Sequence, residues 1–146
     1  MCLDANIVAA GIASNAGASA RILRNVLSDN LRLVISNEIE AEYYEASSKA
    51  GIRSLFARHN VPIAFYRLAL DSLCLLAERV VPTGEAPPCR DEGDRTYLHC
   101  AQFAAAEFLV TYDHDLLDVH VIGRAAIVTP AQLLQRARDT GARLSR

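Results

Sequence analysis

The chain has 146 residues, enough for one domain with a substantial core. Apolar residues make up 51% and the formal net charge is −2. This excludes a disordered chain and a histone-like mode of nucleic-acid binding carried by bulk positive charge. A local basic patch or a metal-mediated mode stays open. No segment approaches the ~20 apolar residues of a membrane span. Met1-Cys2-Leu3-Asp4 has no basic stretch followed by an apolar one, so the expected compartment is the cytoplasm, with no membrane partner. The cysteines at 2, 74, 89 and 100 show no C-x-x-C spacing, which argues against a zinc ribbon or a thioredoxin motif. Cys74 and Cys100 fall on apolar helical faces and read as small buried hydrophobes.

In chain order, residues 1–5 form a short apolar start ending in Asp4. Residues 17–29 place Ile22, Leu23, Val26 and Leu27 at helical spacing. Arg32 to Ser36 reads as a buried strand, and a helix follows with Asn37 as N-cap and Glu40 completing a capping box. That helix is expected to run to Ala50, where Gly51 allows a stop, with a short helix over 53–59. The longest helix is predicted over 62–79, with Pro62 in its first turn and Ile63, Tyr66, Leu70, Leu73, Cys74 and Ala77 on one stripe. Val80-Val81 reads as a minimal strand, and 82–93 as a Pro- and Gly-rich loop. Asp94 is expected to open a helix to Glu107, followed by a strand at Phe108–Thr111 whose apolar run implies cover on both faces. Ala125 to Val128 is the last strand. Thr129-Pro130-Ala131-Gln132 then carries an N-cap, Pro at the first helical position and Gln at the third. The tail over 140–146 is polar and expected to fray.

Strand–helix alternation with apolar strands implies a parallel sheet covered by helices on both faces. In such sheets the ligand site lies beyond the carboxyl ends of the strands. Those ends carry acids. Asp4 ends the first strand, Asp113 and Asp115 follow the strand at 108–111, and Asp91 and Asp94 sit where the helix after the loop begins. Glu42 lies within the helix after the second strand and shares a face with Glu38 and Glu45. Any one of these aspartates taken alone reads better as an N-cap, and Glu38 and Glu45 as a solvated stripe. Convergence is a stronger signal. Clustered carboxylates repel, and a hard divalent cation relieves the repulsion. Both metal-dependent phosphoester hydrolysis and divalent-ion binding without hydrolysis fit this pattern.

These residues resemble a known family. Leu3-Asp4-Ala5-Asn6 is similar to the Leu-Asp-Thr-Asn opening of PIN domains. Ser36 to Glu42 resembles the family's segment after its second strand, which ends in an acid. Cys89-Arg90-Asp91-Glu92-Gly93-Asp94 resembles the Arg-Asp-Pro-x-Asp segment of a bacterial PIN branch of toxin components. Leu109 to Leu117 resembles its Leu-Val-Thr-Gly-Asp-x-Asp-Leu-Leu run, and Ile127-Val128-Thr129-Pro130 its closing Ile-Leu-Thr-Pro. The resemblance implies a single PIN-like domain over 1–146 with an α/β fold, a three-layer α/β/α sandwich around a central parallel sheet. It implies a Mg²⁺- or Mn²⁺-dependent ribonuclease, the toxin of a toxin–antitoxin pair.

By position, the catalytic and metal-binding acids would be Asp4, Glu42, Asp94 and Asp113, with Asp91 and Asp115 secondary. Asn6 would support the site by hydrogen bonding, Thr111 would orient Asp113, and His114 reads as a phosphate contact or a solvated loop residue. Arg90 and Arg95, with Arg21 and Arg24, are candidates to hold the RNA backbone. Expected partners are an RNA substrate and a cognate antitoxin protein, with room for a homodimer. Three features depart from the family pattern: Ala5 stands for Thr, Tyr112 for Gly, and Arg95 where a second acid often follows. Only three residues precede Asp4, so the first strand is expected to be short of the ~5 residues usual for a central strand. These departures keep open an impaired PIN-like module that binds RNA or a protein without hydrolysis. A phospho-acceptor receiver domain also clusters aspartates, but needs a late lysine, and the only lysine here is Lys49.

Overall fold

The computed structural model describes residues 1–141 and 144. Of the tail at 140–146, residues 142, 143, 145 and 146 lie outside the described residues, so its fraying is not addressed. The elements in chain order are β1 (Cys2–Leu3), α1 (Ala5–Ala13), α2 (Ala18–Leu27), β2 (Val34–Ile35) and α3 (Asn37–Glu45). A 3₁₀ turn (Ala46–Ser48) precedes α4 (Ala50–Arg58), α5 (Ile63–Leu76), β3 (Glu78–Arg79) and α6 (Glu92–Phe103). The chain continues through β4 (Phe108–Val110), α7 (His114–Leu117), β5 (Val121–Ile122), β6 (Ala125–Val128) and α8 (Pro130–Asp139).

β1, β4 and β6 pair in parallel, and β5 closes the edge antiparallel to β6. β2 and β3 form a second parallel pair. The Val34 N–H donates to the Met1 carbonyl at 2.8 Å, so β2 lies along the other side of β1. The strands therefore follow one another as β3-β2-β1-β4-β6-β5. Helix α6 packs across β1, β2, β4 and β5, while α8 packs on β4 and carries α2 and, through it, α1. This is the expected α/β/α arrangement with a mostly parallel sheet. Parallel pairing sends the carboxyl ends of β1, β2, β4 and β6 to one edge. Among the described residues, no helix is long and apolar enough to cross a membrane.

Several predicted boundaries shift, each for a local reason. Ser36, not Asn37, caps α3, its hydroxyl accepting from the Ile39 N–H at 3.3 Å. Helix α3 stops at Glu45 rather than Ala50, because the chain tightens into the 3₁₀ turn and then extends at Lys49. Gly51 falls inside α4 and stops nothing. Helix α5 ends at Leu76, short of residue 79, because the Glu78 N–H and Val80 N–H donate to the Leu33 and Ile35 carbonyls. That pairing also moves β3 to Glu78–Arg79 and leaves Val81 exposed. Helix α6 opens at Glu92, with Asp91 as its cap and Asp94 as its third residue, and it ends at Phe103 before Ala105 turns left-handed at φ 47°.

Other expectations hold. Tyr66, Leu70, Leu73 and Cys74 are the buried stripe of α5, and the capping box of Thr129 and Gln132 opens α8. Leu109, Val110 and Thr111 are buried, as the apolar run of β4 required. Ile22, Leu23 and Val26 are buried on α2, but Leu27 ends the helix facing solvent. The sequence reading assigned nothing to α1, α7 or β5.

The core is tied to the functional edge through two tyrosines. The buried Tyr43 hydroxyl of α3 donates to the Leu3 carbonyl at 2.5 Å, and the buried Tyr66 hydroxyl of α5 donates to the Tyr43 carbonyl at 2.8 Å. These bonds lock α3 to the residue before Asp4. Tyr43→Phe leaves the Leu3 carbonyl short of a partner in the core, and should lower stability by about 1–3 kcal/mol. Urea denaturation should show a lower midpoint at unchanged slope; an unchanged midpoint would contradict this role.

Candidate functional site

Three aspartates at the carboxyl edge use the same local device. The side chain of Asp4 accepts from the Asn6 N–H at 3.1 Å, that of Asp91 from the Gly93 N–H at 2.8 Å, and that of Asp113 from the Asp115 N–H at 2.8 Å. Each residue is extended and caps the helix that follows it: α1, α6 and α7. Capping satisfies amides that have no partner within the helix, and helix N-termini favour negative charge. It uses one oxygen of each carboxylate. The capping reading and the clustering reading of the sequence are therefore compatible.

Thr111 joins two of these caps. The Asp4 N–H donates to the Val110 carbonyl at 3.0 Å, which fixes the backbone at the end of β1. The Thr111 hydroxyl donates to Asp4 Oδ2 at 2.7 Å and accepts from the Asp113 N–H at 2.9 Å. Asp4 and Thr111 are both buried, so this charge-assisted bond lies out of bulk water. Thr111 thus orients Asp4 directly and the Asp113 backbone with it. The Asn6 contribution expected from the sequence comes from its backbone amide, and its side chain is exposed.

Asp94 lies in the first turn of α6, three residues after Asp91. Its pKa rises from 3.8 to about 6, first through burial and then through the charges of Asp113, Asp91, Asp4 and Asp115. Four of the predicted acids therefore act on Asp94, which lies within reach of all their fields. Glu42 reaches the same region through Tyr97. The buried Tyr97 hydroxyl accepts from the Ala5 N–H at 3.1 Å, and its pKa is raised by burial and by the charges of Glu42 and Asp4. Glu42 also lies 3.6 Å from Lys49 Nζ. Tyr97 escaped the sequence reading. Its spacing of three from Asp94, which puts both on one face of α6, was the available signal.

Other candidates stand apart from this set. Glu38 and Glu45 are exposed, as the solvated-stripe reading had it, and His114 is exposed on α7. Arg24 donates to the Asn15 carbonyl at 3.0 Å, and Arg21 faces α8 in a depression with Leu134, Gln135 and Arg138. Arg90 is exposed just before the Asp91 cap. Arg95 lies 3.9 Å from Glu92, with its buried Nε lacking a hydrogen-bond partner.

All-oxygen carboxylate donors suit a hard divalent cation. Among the described residues, no three His, Cys, Asp or Glu side chains stand close enough together to hold one. Asp4, Asp91 and Asp113 are directed toward helix amides instead. What fits a cation is the negative field itself, which adds to burial in raising the Asp94 pKa. This field has a consequence for stability. An Asp94 pKa near 6 when folded and 3.8 when unfolded means that the folded chain binds more protons between those values. The stability Asp94 contributes is present below the unfolded value and lost as pH rises through 6. Asp94→Asn should therefore raise Tm at pH 7 in a chelator, with the gain shrinking toward pH 4. Thermal melts across that range check it, and a Tm lowered at pH 7 would contradict the electrostatic account.

The PIN domain family model matches residues 1–115. The match takes in Asp4, Glu42, Asp91, Asp94, Asp113 and Asp115, and it stops before β5, β6 and α8. No curated protein and no solved structure matches the chain. PIN domains are typically nucleases and usually bind divalent metals. With more than half its length matched and its acids at the carboxyl edge of a mostly parallel sheet, this chain belongs to the PIN domain family.

Proposed function

We propose that this protein is a cytoplasmic Mg²⁺- or Mn²⁺-dependent endoribonuclease, the toxin half of a toxin–antitoxin pair. The observation that carries the reading is the carboxyl of Asp94, pushed up to about 6 by burial and by four neighbouring aspartates. A site that must bind a cation and a phosphodiester needs such a concentration of negative charge, and a purely structural set of caps does not.

In this mechanism Asp4, Glu42, Asp94 and Asp113 would hold the ion. When bound, the ion supplies a water of lowered pKa and neutralises charge on the phosphate. The chain's own residues prepare that site. Thr111 fixes the direction of Asp4 Oδ2, and the Asn6 N–H fixes Oδ1. Tyr97, anchored on the Ala5 N–H, lies between Asp4 and Glu42 and holds its proton. Deprotonation of Asp94, whose carboxyl titrates near 6, would free it as a ligand, so Mn²⁺ affinity is expected to rise with pH through that value.

A second reading, a PIN-like module that binds RNA or a protein without hydrolysis, draws on the absence of a converged triad among the described residues. One pair of experiments separates the two. In Mg²⁺, purified wild type should cleave single-stranded RNA, and Asp4→Asn should reduce the rate by at least about 100-fold, as loss of a metal-binding carboxylate does. Equal rates in the two proteins would sink the enzyme reading. Calorimetric titration with Mn²⁺ should show saturable binding that Asp113→Asn abolishes. For the toxin assignment, induced wild type should arrest growth of its host and Asp4→Asn should not.

A further inference from the structure

Glu42 is paired not with a residue of its own helix but with Lys49, the residue just before α4. Lys49 also lines a groove of about 430 Å³ with Asn6, Gly51, Ile52, Leu55 and Arg58. The groove exists because α4 packs on α1. Its near end touches the acidic edge twice, since Asn6 follows Asp4 by two residues and Lys49 lies 3.6 Å from Glu42. Its far end is Arg58, in the last turn of α4.

The charge of this region is one-sided. Between Glu45 and Asp71 every charged residue is a cation: Lys49, Arg53, Arg58 and Arg67. That run stands in a chain whose net charge is −2. Lys49 and Arg58 are exposed, and between them the groove floor is Ile52 and Leu55 with Gly51 at its rim. Gly51 meets nothing within 4 Å where a Cβ would stand, so the rim is open at that point. A floor of apolar carbon flanked by two cations suits a chain with spaced negative charges and flat apolar faces between them. A single-stranded nucleic acid has that character, its bases resting on side-chain carbon and its phosphates meeting cations. An acidic polypeptide matches the cations alone.

We propose that the α1–α4 groove is the track for the sugar–phosphate backbone of single-stranded RNA, with phosphates at Lys49 and Arg58 and the strand leaving the acidic edge beside Asn6. The track is separate from Arg90 and Arg95, which belong to the start of α6. It rests on the ribonuclease reading for the direction of the strand, but its affinity for RNA is independent of metal. Lys49 is exposed and 3.6 Å from the partly buried Glu42, a long and solvent-screened contact that phosphate can replace. Arg58 is the cleaner probe, because it is outside the carboxylate set. Arg53 is the matched control, with the same charge but in a separate depression with Ser54, Ala57 and Val61.

The test is fluorescence anisotropy of a labelled uridine 20-mer with the full chain in EDTA, across a salt series. Arg58→Ala should weaken binding several-fold, and Lys49→Ala/Arg58→Ala roughly ten-fold, with the salt slope reduced by about 1.4 for two phosphate contacts on a single strand. Arg53→Ala should change affinity less than about two-fold. Circular dichroism melts should be unchanged in all three, since each side chain is exposed. Equal affinity and slope in the double variant, an Arg53→Ala loss matching that of Arg58→Ala, or no binding by wild type would each overturn the track. Displacement of RNA by polyglutamate at equal charge would overturn it in favour of an acidic protein partner. Cleavage in Mg²⁺, measured separately, judges the ribonuclease reading, so either idea can fail alone.

Discussion

The Thr111 hydroxyl donates to Asp4 Oδ2 at 2.7 Å while accepting from the Asp113 N–H at 2.9 Å. This one side chain connects the ends of two adjacent parallel strands, β1 and β4, which are 107 residues apart in sequence. The arrangement at the acidic edge depends on it. Asp4 is buried, and polar groups are costly to bury unpartnered; there the Thr111 hydroxyl and the Asn6 amide satisfy its two oxygens. Asp113 follows from the same residue, and its field then acts on Asp94 from across the edge. Packing sets the geometry: β1 is held by β4 on one side, by β2 on the other and by the Tyr43 hydroxyl from above.

The site is a balance between two demands on the same carboxylates. As caps, Asp4, Asp91 and Asp113 turn toward backbone amides and stabilise α1, α6 and α7. As a cluster, they act on Asp94, whose carboxyl is raised to about 6 by its burial and then by their charges. In the proposed enzyme a cation would relieve the same repulsion as a proton, so the two would compete. The basic run that begins at Lys49 meets this negative edge at one point, the Lys49–Glu42 contact. A mild net charge of −2 thus conceals an acidic strand edge and a stretch of sequence, 46–70, whose charges are all positive.

Where the sequence carries a local chemical signal, it is legible. Thr129, Pro130 and Gln132 place the start of α8 because capping is decided within four residues. The acids were found because Asp4 and Asp113 follow short apolar strands. Non-local pairing was not legible. The position of β3 depends on the Leu33 and Ile35 carbonyls, and nothing near residue 78 announces them. Helix α1 was missed because Ala5–Ala13 is apolar on nearly every side and so has no helical stripe to detect; Gly11 lets it approach the Ser19 carbonyl, where a Cβ would lie at 2.9 Å. With α1 unseen, the groove it forms with α4 was invisible as well. Ser36 caps α3 in place of the expected Asn37 because β2 ends at Ile35, one residue earlier than the expected strand over 32–36.

The account stands on one electrostatic claim: the aspartates at the strand ends form a single coupled unit that a divalent cation can discharge. The most direct measurement is a carbon-detected NMR titration of the Asp94 carboxyl in protein labelled at aspartate. Without metal it should titrate near 6, and the midpoint should fall in Asp113→Asn and again when Mg²⁺ is added to wild type. A midpoint at the ordinary aspartate value of 3.8 in the metal-free wild type, or one that Mg²⁺ does not move, would contradict the account.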